Sequence, residues 1–197
     1  MDPPLDAIAR GLHNTGITAN QVTITGFIIG LSVIPLLSFQ LYMAALTAII
    51  INRFADGLDG AIARDRGITD AGGYLDIVLD FIFYSAVIFG FCLALPDQAL
   101  YGAFLIFSFI GTGSSFLALS IFAAKRSLTT TLRGTKSIYY LGGLTEGFET
   151  IVALVLMCLL PSWFWLIASI FGTLCWITTL SRIVTSYQLL ADLPNQG

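Results

Sequence analysis

The stretch "DGLDGAIARDRGITDAGGYLDIVLDF", residues 56–81, sets Asp56, Asp59, Asp76 and Asp80 at helical spacing among apolar residues and glycines. The rest of the chain belongs in a bilayer. Its 197 residues are 56% hydrophobic and 11% charged, with a mean hydropathy of +0.87, well outside the range of soluble domains. Carboxylates are costly in such a setting, about 2.5–3.5 kcal/mol each at the bilayer centre on insertion scales and less near the interface. Gathering four of them requires a compensating cation.

Working outward from this stretch, a membrane-spanning helix needs about 20 mostly apolar residues. Six segments meet that length, at roughly 20–40, 42–64, 72–95, 99–124, 137–160 and 162–190. The expected fold is therefore an all-α integral membrane protein of six transmembrane helices, one domain over residues 1–197. The polar residues 1–19 form an interfacial lead-in, and no cleavable signal is evident in them. Asn20 is a candidate cap for the first span. Gly67 and the Gly72/Gly73 pair break the chain between the second and third spans, and "GTGSS" (111–115) in the fourth offers small residues for close helix approach.

The basic residues set the orientation. With the N-terminus cytoplasmic, Arg10, Arg64, Arg66, Lys125, Arg126, Arg133 and Lys136 fall at the cytoplasmic edge, and Arg53 and Arg182 lie in spans on that half. The loops around Pro96 and Pro161 carry none. This places the carboxylates on the cytoplasmic side. A formal charge of -3 gives no surface for nucleic acid. Cys92, Cys158 and Cys175 fall inside spans without a C-x-x-C pair, which makes them packing residues, and His13 sits in the solvated lead-in.

At roughly 100° per residue, Asn52, Asp56, Asp59, Gly60 and Ala63 occupy about a quarter of the second helix's circumference. Asp76 and Asp80 share a face of the third helix with Gly72. A tight turn between the two helices brings all four acids into one pocket just inside the boundary. Oxygen-only ligands select a hard divalent ion, Mg²⁺ first and Mn²⁺ next. Mg²⁺ keeps open positions and favours phosphate oxygens, which points to a phosphorylated substrate. Gly60 and Ala63 clear space on the same face for a ligand to approach.

"DGLDGAIAR" followed by "GGYLDIVLD" resembles the signature of the CDP-alcohol phosphotransferases, D-x-x-D-G-x-x-A-R, a spacer, then G-x-x-x-D-x-x-x-D. The match fixes Asp56, Asp59, Gly60, Ala63, Arg64, Gly72, Asp76 and Asp80, and "GTGSSF" and "YYLGGLTEG" add a likeness to bacterial inner-membrane members. The spacer is one residue shorter than usual, which alters a loop and leaves both Asp pairs in phase. The resemblance implies that Asp56, Asp59 and Asp76 ligate a divalent metal on the CDP pyrophosphate. It implies that Asp80 is the general base and also touches a second metal, giving two ions in all. Gly60, Ala63 and Arg64, with Asn52 beside them, would line the nucleotide site, and the family implies a homodimer. Members that use a phosphorylated acceptor hold it with basic residues, which here would be Lys125, Lys136 and Arg182.

Two functions of different class follow. One is an enzyme that moves a phosphatidyl group from CDP-diacylglycerol to a small alcohol, glycerol 3-phosphate first, and releases CMP; the reversed pairing of a CDP-aminoalcohol with diacylglycerol is its variant. The other is a small divalent-cation transporter. A transporter site belongs near the bilayer midplane at broken helices, whereas these acids hug one interface. Glu146 and Glu149 are expected to pair with Arg182 or with each other's neighbours for stability, rather than to select the substrate.

Overall fold

The computed structural model describes residues 3–12, 16–126 and 147–192, and among these there is no strand. The helices are α1 (Pro3–Gly11), α2 (Ala19–Leu31), α3 (Val33–Ser38), α4 (Tyr42–Arg66), α5 (Asp70–Ala94), α6 (Ala99–Lys125), α7 (Gly147–Leu159) and α8 (Phe164–Ala191). Short 3₁₀ turns at Pro96–Gln98 and Pro161–Trp163 lead into α6 and α8, each with Pro at its start, where the missing N–H costs nothing.

The first apolar segment is broken into α2 and α3 at Ser32. Pro35 has no N–H for the carbonyl four residues back, so the ladder is interrupted there, and the Ser32 hydroxyl donates to the Ile29 carbonyl at 2.6 Å. The helix cap is Thr18 rather than Asn20. Thr18 and Gln21 form a capping box, with the Thr18 hydroxyl accepting from the Gln21 N–H at 3.3 Å and the Gln21 side chain accepting from the Thr18 N–H at 2.9 Å. Asn20 is thereby left inside the first turn.

Among the described residues, four segments are long and apolar enough to cross a membrane: Ala19–Ser38, Asp70–Ala94, Pro96–Lys125 and Pro161–Ala191. Of the other two expected spans, α4 has the length at 25 residues but carries Arg53, Asp56, Asp59, Arg64, Asp65 and Arg66. The described part of the fifth, α7, has 13 residues; residues 127–146 lie outside the described chain.

The core occupies the half of the bundle away from the acids. Ala45, Ala48 and Ile49 of α4 meet Phe83, Val87 and Phe91 of α5, with Leu105, Leu154, Met157 and Phe164 completing it. The Phe91 and Phe164 rings stack at 4.9 Å. Cys158 and Cys175 are buried in this core and Cys92 packs against it, the packing role expected of them. The contribution of α4 to this core therefore ends at about Ile49, and its polar turns begin at Asn52.

α2 lies along α4, and α6 along α8. Both seams depend on glycine. A Cβ on Gly26 would overlap that of Ala55, and one on Gly111 in "GTGSS" would lie 3.1 Å from Thr179 Oγ1. Gly26→Ala is expected to destabilise the detergent-solubilised protein by about 1–3 kcal/mol, and Ala55→Gly on the same chain to recover most of the loss. Thermal unfolding of the single and double variants measures this, and an unchanged transition in Gly26→Ala would show that the seam yields.

Candidate active site

α4 and α5 both pack against α2 and are joined by a short turn in which Gly67 has φ 111°, a left-handed value suited to glycine. Thr69 caps α5, its hydroxyl accepting from the Gly72 N–H at 3.1 Å. These anchors fix the rotation of α5 so that its acids face those of α4. Asp56, Asp59 and Asp76 each present a carboxylate oxygen within 4.8 Å of the other two. Asp59 is 5% exposed, and its Oδ2 is buried with no hydrogen-bond partner among the described residues. A buried carboxylate with one unpartnered oxygen, gathered with two others, fits a hard divalent cation, because nothing else described satisfies it.

Asp80 lies one turn further along α5 and is engaged differently. Arg53 grips it with two prongs, Nη2 to Oδ1 at 2.6 Å and Nη1 to Oδ2 at 3.3 Å. The Tyr84 hydroxyl donates to Asp80 Oδ2 at 3.1 Å and accepts from Arg53 Nη1 at 3.0 Å. Arg53 is itself held: Nε and Nη2 donate to Asn52 Oδ1 at 2.9 and 2.6 Å, and Asn52 Nδ2 donates to the Gly26 carbonyl at 3.0 Å. Its Cζ sits 4.9 Å from the Phe83 ring centroid and 5.1 Å from that of Tyr84. Arg53 Nη1 also reaches Asp56 Oδ2 at 3.4 Å. One guanidinium thus touches acids of both helices. Asn52, expected at the nucleotide, is buried and anchors Arg53.

A cavity of about 600 Å³ opens beside the acids, with Asp59 and Asp76 in its wall. Gly60, Ala63 and Arg64 line it, together with Asn20, Thr23 and Gly72. The absence of a side chain at Gly72 matters, because a Cβ there would lie 3.1 Å from Asn20 Oδ1 and 3.0 Å from Thr69 Oγ1. Arg66 also lines the cavity while donating to the backbone carbonyls of Leu12, at 2.6 Å, and Ile17. It clasps the chain between α1 and α2 against the end of α4. α1 packs there through Ala9 on Ala61 and Ile62.

Of the basic residues expected at the acceptor, Lys125 and Arg182 lie in the described chain. Lys125 is exposed at the end of α6. Arg182 is 6% exposed within α8, where Nη1 donates to the Thr112 carbonyl at 3.0 Å and to Ser115 Oγ at 3.4 Å, beneath the Phe116 ring. Lys136 and Glu146 lie outside the described residues, as does His13. Sequence reasoning used Arg53 and Arg66 only to orient the chain and did not single out Tyr84. The available signal was spacing: Arg53 precedes Asp56 by three residues and Tyr84 follows Asp80 by four, extending each acid row by one turn.

The chain is 53% identical over 195 residues to the inner membrane protein YnjF of Escherichia coli (strain K12), covering 98% of this chain and 95% of that protein. It is 40% identical over 95 residues to the archaetidylinositol phosphate synthase of Pyrococcus horikoshii, covering 46% of this chain and 48% of that one. The phosphatidylinositol phosphate synthase PgsA1 of Mycobacterium tuberculosis has a similar fold. Its complex with manganese and citrate gives a TM-score of 0.72 at 23% identity, over 98% of this chain and 93% of that one. Its structure with CDP-DAG bound gives 0.61 at 25%, over 98% of each. Residues 16–184, which contain the whole acid cluster and its cavity, match the CDP-alcohol phosphatidyltransferase family, and the chain belongs to that family.

Proposed function

We propose that the protein transfers a phosphatidyl group from CDP-diacylglycerol to a small phosphorylated alcohol, glycerol 3-phosphate first, and releases CMP. The observation that carries this is the convergence of Asp56, Asp59 and Asp76 beside a cavity of about 600 Å³ that has Asp59 and Asp76 in its wall, with Asp80 one turn away. A bare ion would not need that volume, which speaks against the transporter. CDP-DAG in the structure of the 25% identical PgsA1 supports the donor.

Mg²⁺ or Mn²⁺ held by Asp56, Asp59 and Asp76 supplies neutralisation of the pyrophosphate charge when bound. Gly60 and Ala63 make room for the cytidine, and Arg64 lies in the same wall to meet phosphate oxygens. Asp80 takes the proton of the acceptor hydroxyl as its oxygen bonds to the phosphorus bearing the diacylglycerol. The P–O bond to CMP breaks, and CMP leaves with that electron pair. A second ion would have to share Asp80 with Arg53.

The whole of residues 1–197 forms this one domain, with six spans, the N-terminus and the active site on the cytoplasmic side, and a homodimer as its assembly. The name of the 53% identical relative supports a bacterial inner membrane. The polar face of α4 is consistent with a span shielded by α2 and α5.

Inositol phosphate is a second acceptor, favoured by the names of the archaetidylinositol phosphate and phosphatidylinositol phosphate synthases. Purified protein incubated with CDP-diacylglycerol and a panel of alcohols, with lipid products identified by mass, tests the proposal. Phosphatidylglycerophosphate and CMP are expected; a product formed only from a phosphate-free alcohol, or from a CDP-aminoalcohol and diacylglycerol, would overturn it. Lys125, Lys136 and Arg182 are proposed to receive the acceptor phosphate. Arg182→Gln is accordingly expected to raise the acceptor KM by about tenfold or more, the loss of a charge-assisted bond, with CDP-lipid affinity unchanged. Loss of thermal stability with every kinetic constant depressed together would assign Arg182 to the α6–α8 seam alone.

A further inference from the structure

Among the described residues, Arg53 is the basic side chain placed among the four acids, and its chemistry there is unusually complete. It is 12% exposed, donates to Asn52, Asp80 and Tyr84, reaches Asp56 Oδ2 through one nitrogen only at 3.4 Å against 2.6 Å to Asp80 Oδ1, and is flanked by two aromatic rings. A guanidinium held at so many points cannot swing away without stranding Asn52 Oδ1 and Asp80 together. On the other side of the pair, the Asp80 carboxylate accepts from Arg53 Nη1, Arg53 Nη2 and the Tyr84 hydroxyl. That uses three of the roughly four acceptor positions of a carboxylate. Any ion binding to Asp80 would also have to sit against the guanidinium, which repels it at short range. Asp59 Oδ2, by contrast, has no hydrogen-bond partner among the described residues. The acids are therefore not equivalent.

We propose that Arg53 divides the four-acid site: it commits Asp80 to itself and stands where a second ion would otherwise sit, so that one divalent cation is held by Asp56, Asp59 and Asp76. Arg53 is then a positioning residue. Its grip leaves Asp80 about one open acceptor position, directed to a proton rather than a metal. This role of Asp80 rests on the transferase function proposed above, whereas the ion count does not. The conclusion departs from the two ions that the sequence resemblance implies.

The test is a count of ions on the full-length protein in nanodiscs. Metal-stripped chain is titrated with Mn²⁺, and free Mn²⁺ is followed by electron paramagnetic resonance. Wild type is expected to take up one Mn²⁺ per chain. Asp80→Asn should keep that count with an affinity within about threefold, whereas Asp76→Asn should lose at least tenfold in affinity. Arg53→Gln should admit a second Mn²⁺, and should lower kcat by at least tenfold while leaving the KM for CDP-diacylglycerol within about threefold. Two ions on the wild type, a marked loss of affinity in Asp80→Asn, or a count that stays at one in folded Arg53→Gln would each overturn the proposal. If Arg53→Gln does not fold, the wild-type and Asp80→Asn titrations decide alone. Protein that counts as expected but releases no CMP would refute the transferase and leave the division of the acids standing.

Discussion

Asp80→Asn is expected to lower CMP release by about 10²- to 10⁴-fold, the span associated with loss of a general base, while CDP-diacylglycerol still binds. The reason lies in where the carboxylate sits. Asp80 is outside the group of oxygens formed by Asp56, Asp59 and Asp76, so its loss leaves that group and the adjoining cavity intact. Asn keeps an oxygen for Arg53 and is close in volume, but it cannot take up a proton at neutral pH. Asp56→Asn and Asp76→Asn should instead weaken both binding and turnover, since each removes a charge from the cluster. Equilibrium binding of CDP-diacylglycerol and initial rates of CMP release, measured on the same preparations, separate the two behaviours. Full activity in Asp80→Asn would remove it from the chemistry.

Chelation is expected to have an effect as large. Protein stripped with EDTA should release no measurable CMP, and activity should return with Mg²⁺ or Mn²⁺ and not with Zn²⁺ alone. Three carboxylates with no imidazole or thiolate beside them among the described residues suit hard ions that accept octahedral oxygen coordination, whereas Zn²⁺ prefers nitrogen and sulfur in a tetrahedron. Initial rates of the stripped protein with each ion decide the point, and strong activity in EDTA would contradict it.

The convergence of Asp56, Asp59 and Asp76 was legible in the sequence because helical periodicity and a short connection are enough to put residues of two adjoining helices at one depth. The Arg53–Asp80 pair was not, because a contact between α4 and α5 depends on how each is rotated against α2, and no spacing within one helix encodes that. The cap of α2 is an intermediate case. Thr18 and Asn20 are both good cap residue types, and it is the backbone of Thr18, at φ −90° and ψ 156°, that decides between them. The break at Ser32 follows from Pro35, which the sequence displays. The polar turns of α4 explain why hydropathy and length disagree on it: the residues that make the site are the ones that make the helix look unlike a span.

The clasp made by Arg66 has an evolutionary consequence. It grips the carbonyls of Leu12 and Ile17, groups that every amino acid possesses, and ignores their side chains. Positions 12 and 17 can therefore drift in identity as descendants of this chain diverge without loosening the clasp, while position 66 carries the whole restriction. Its long, forked cation has no ready substitute, since a lysine there could reach one carbonyl but would lack the geometry to hold both. A family tree should thus show variable residues at both ends of the clasp and a persistent arginine at its centre, the mark of recognition that reads only the main chain.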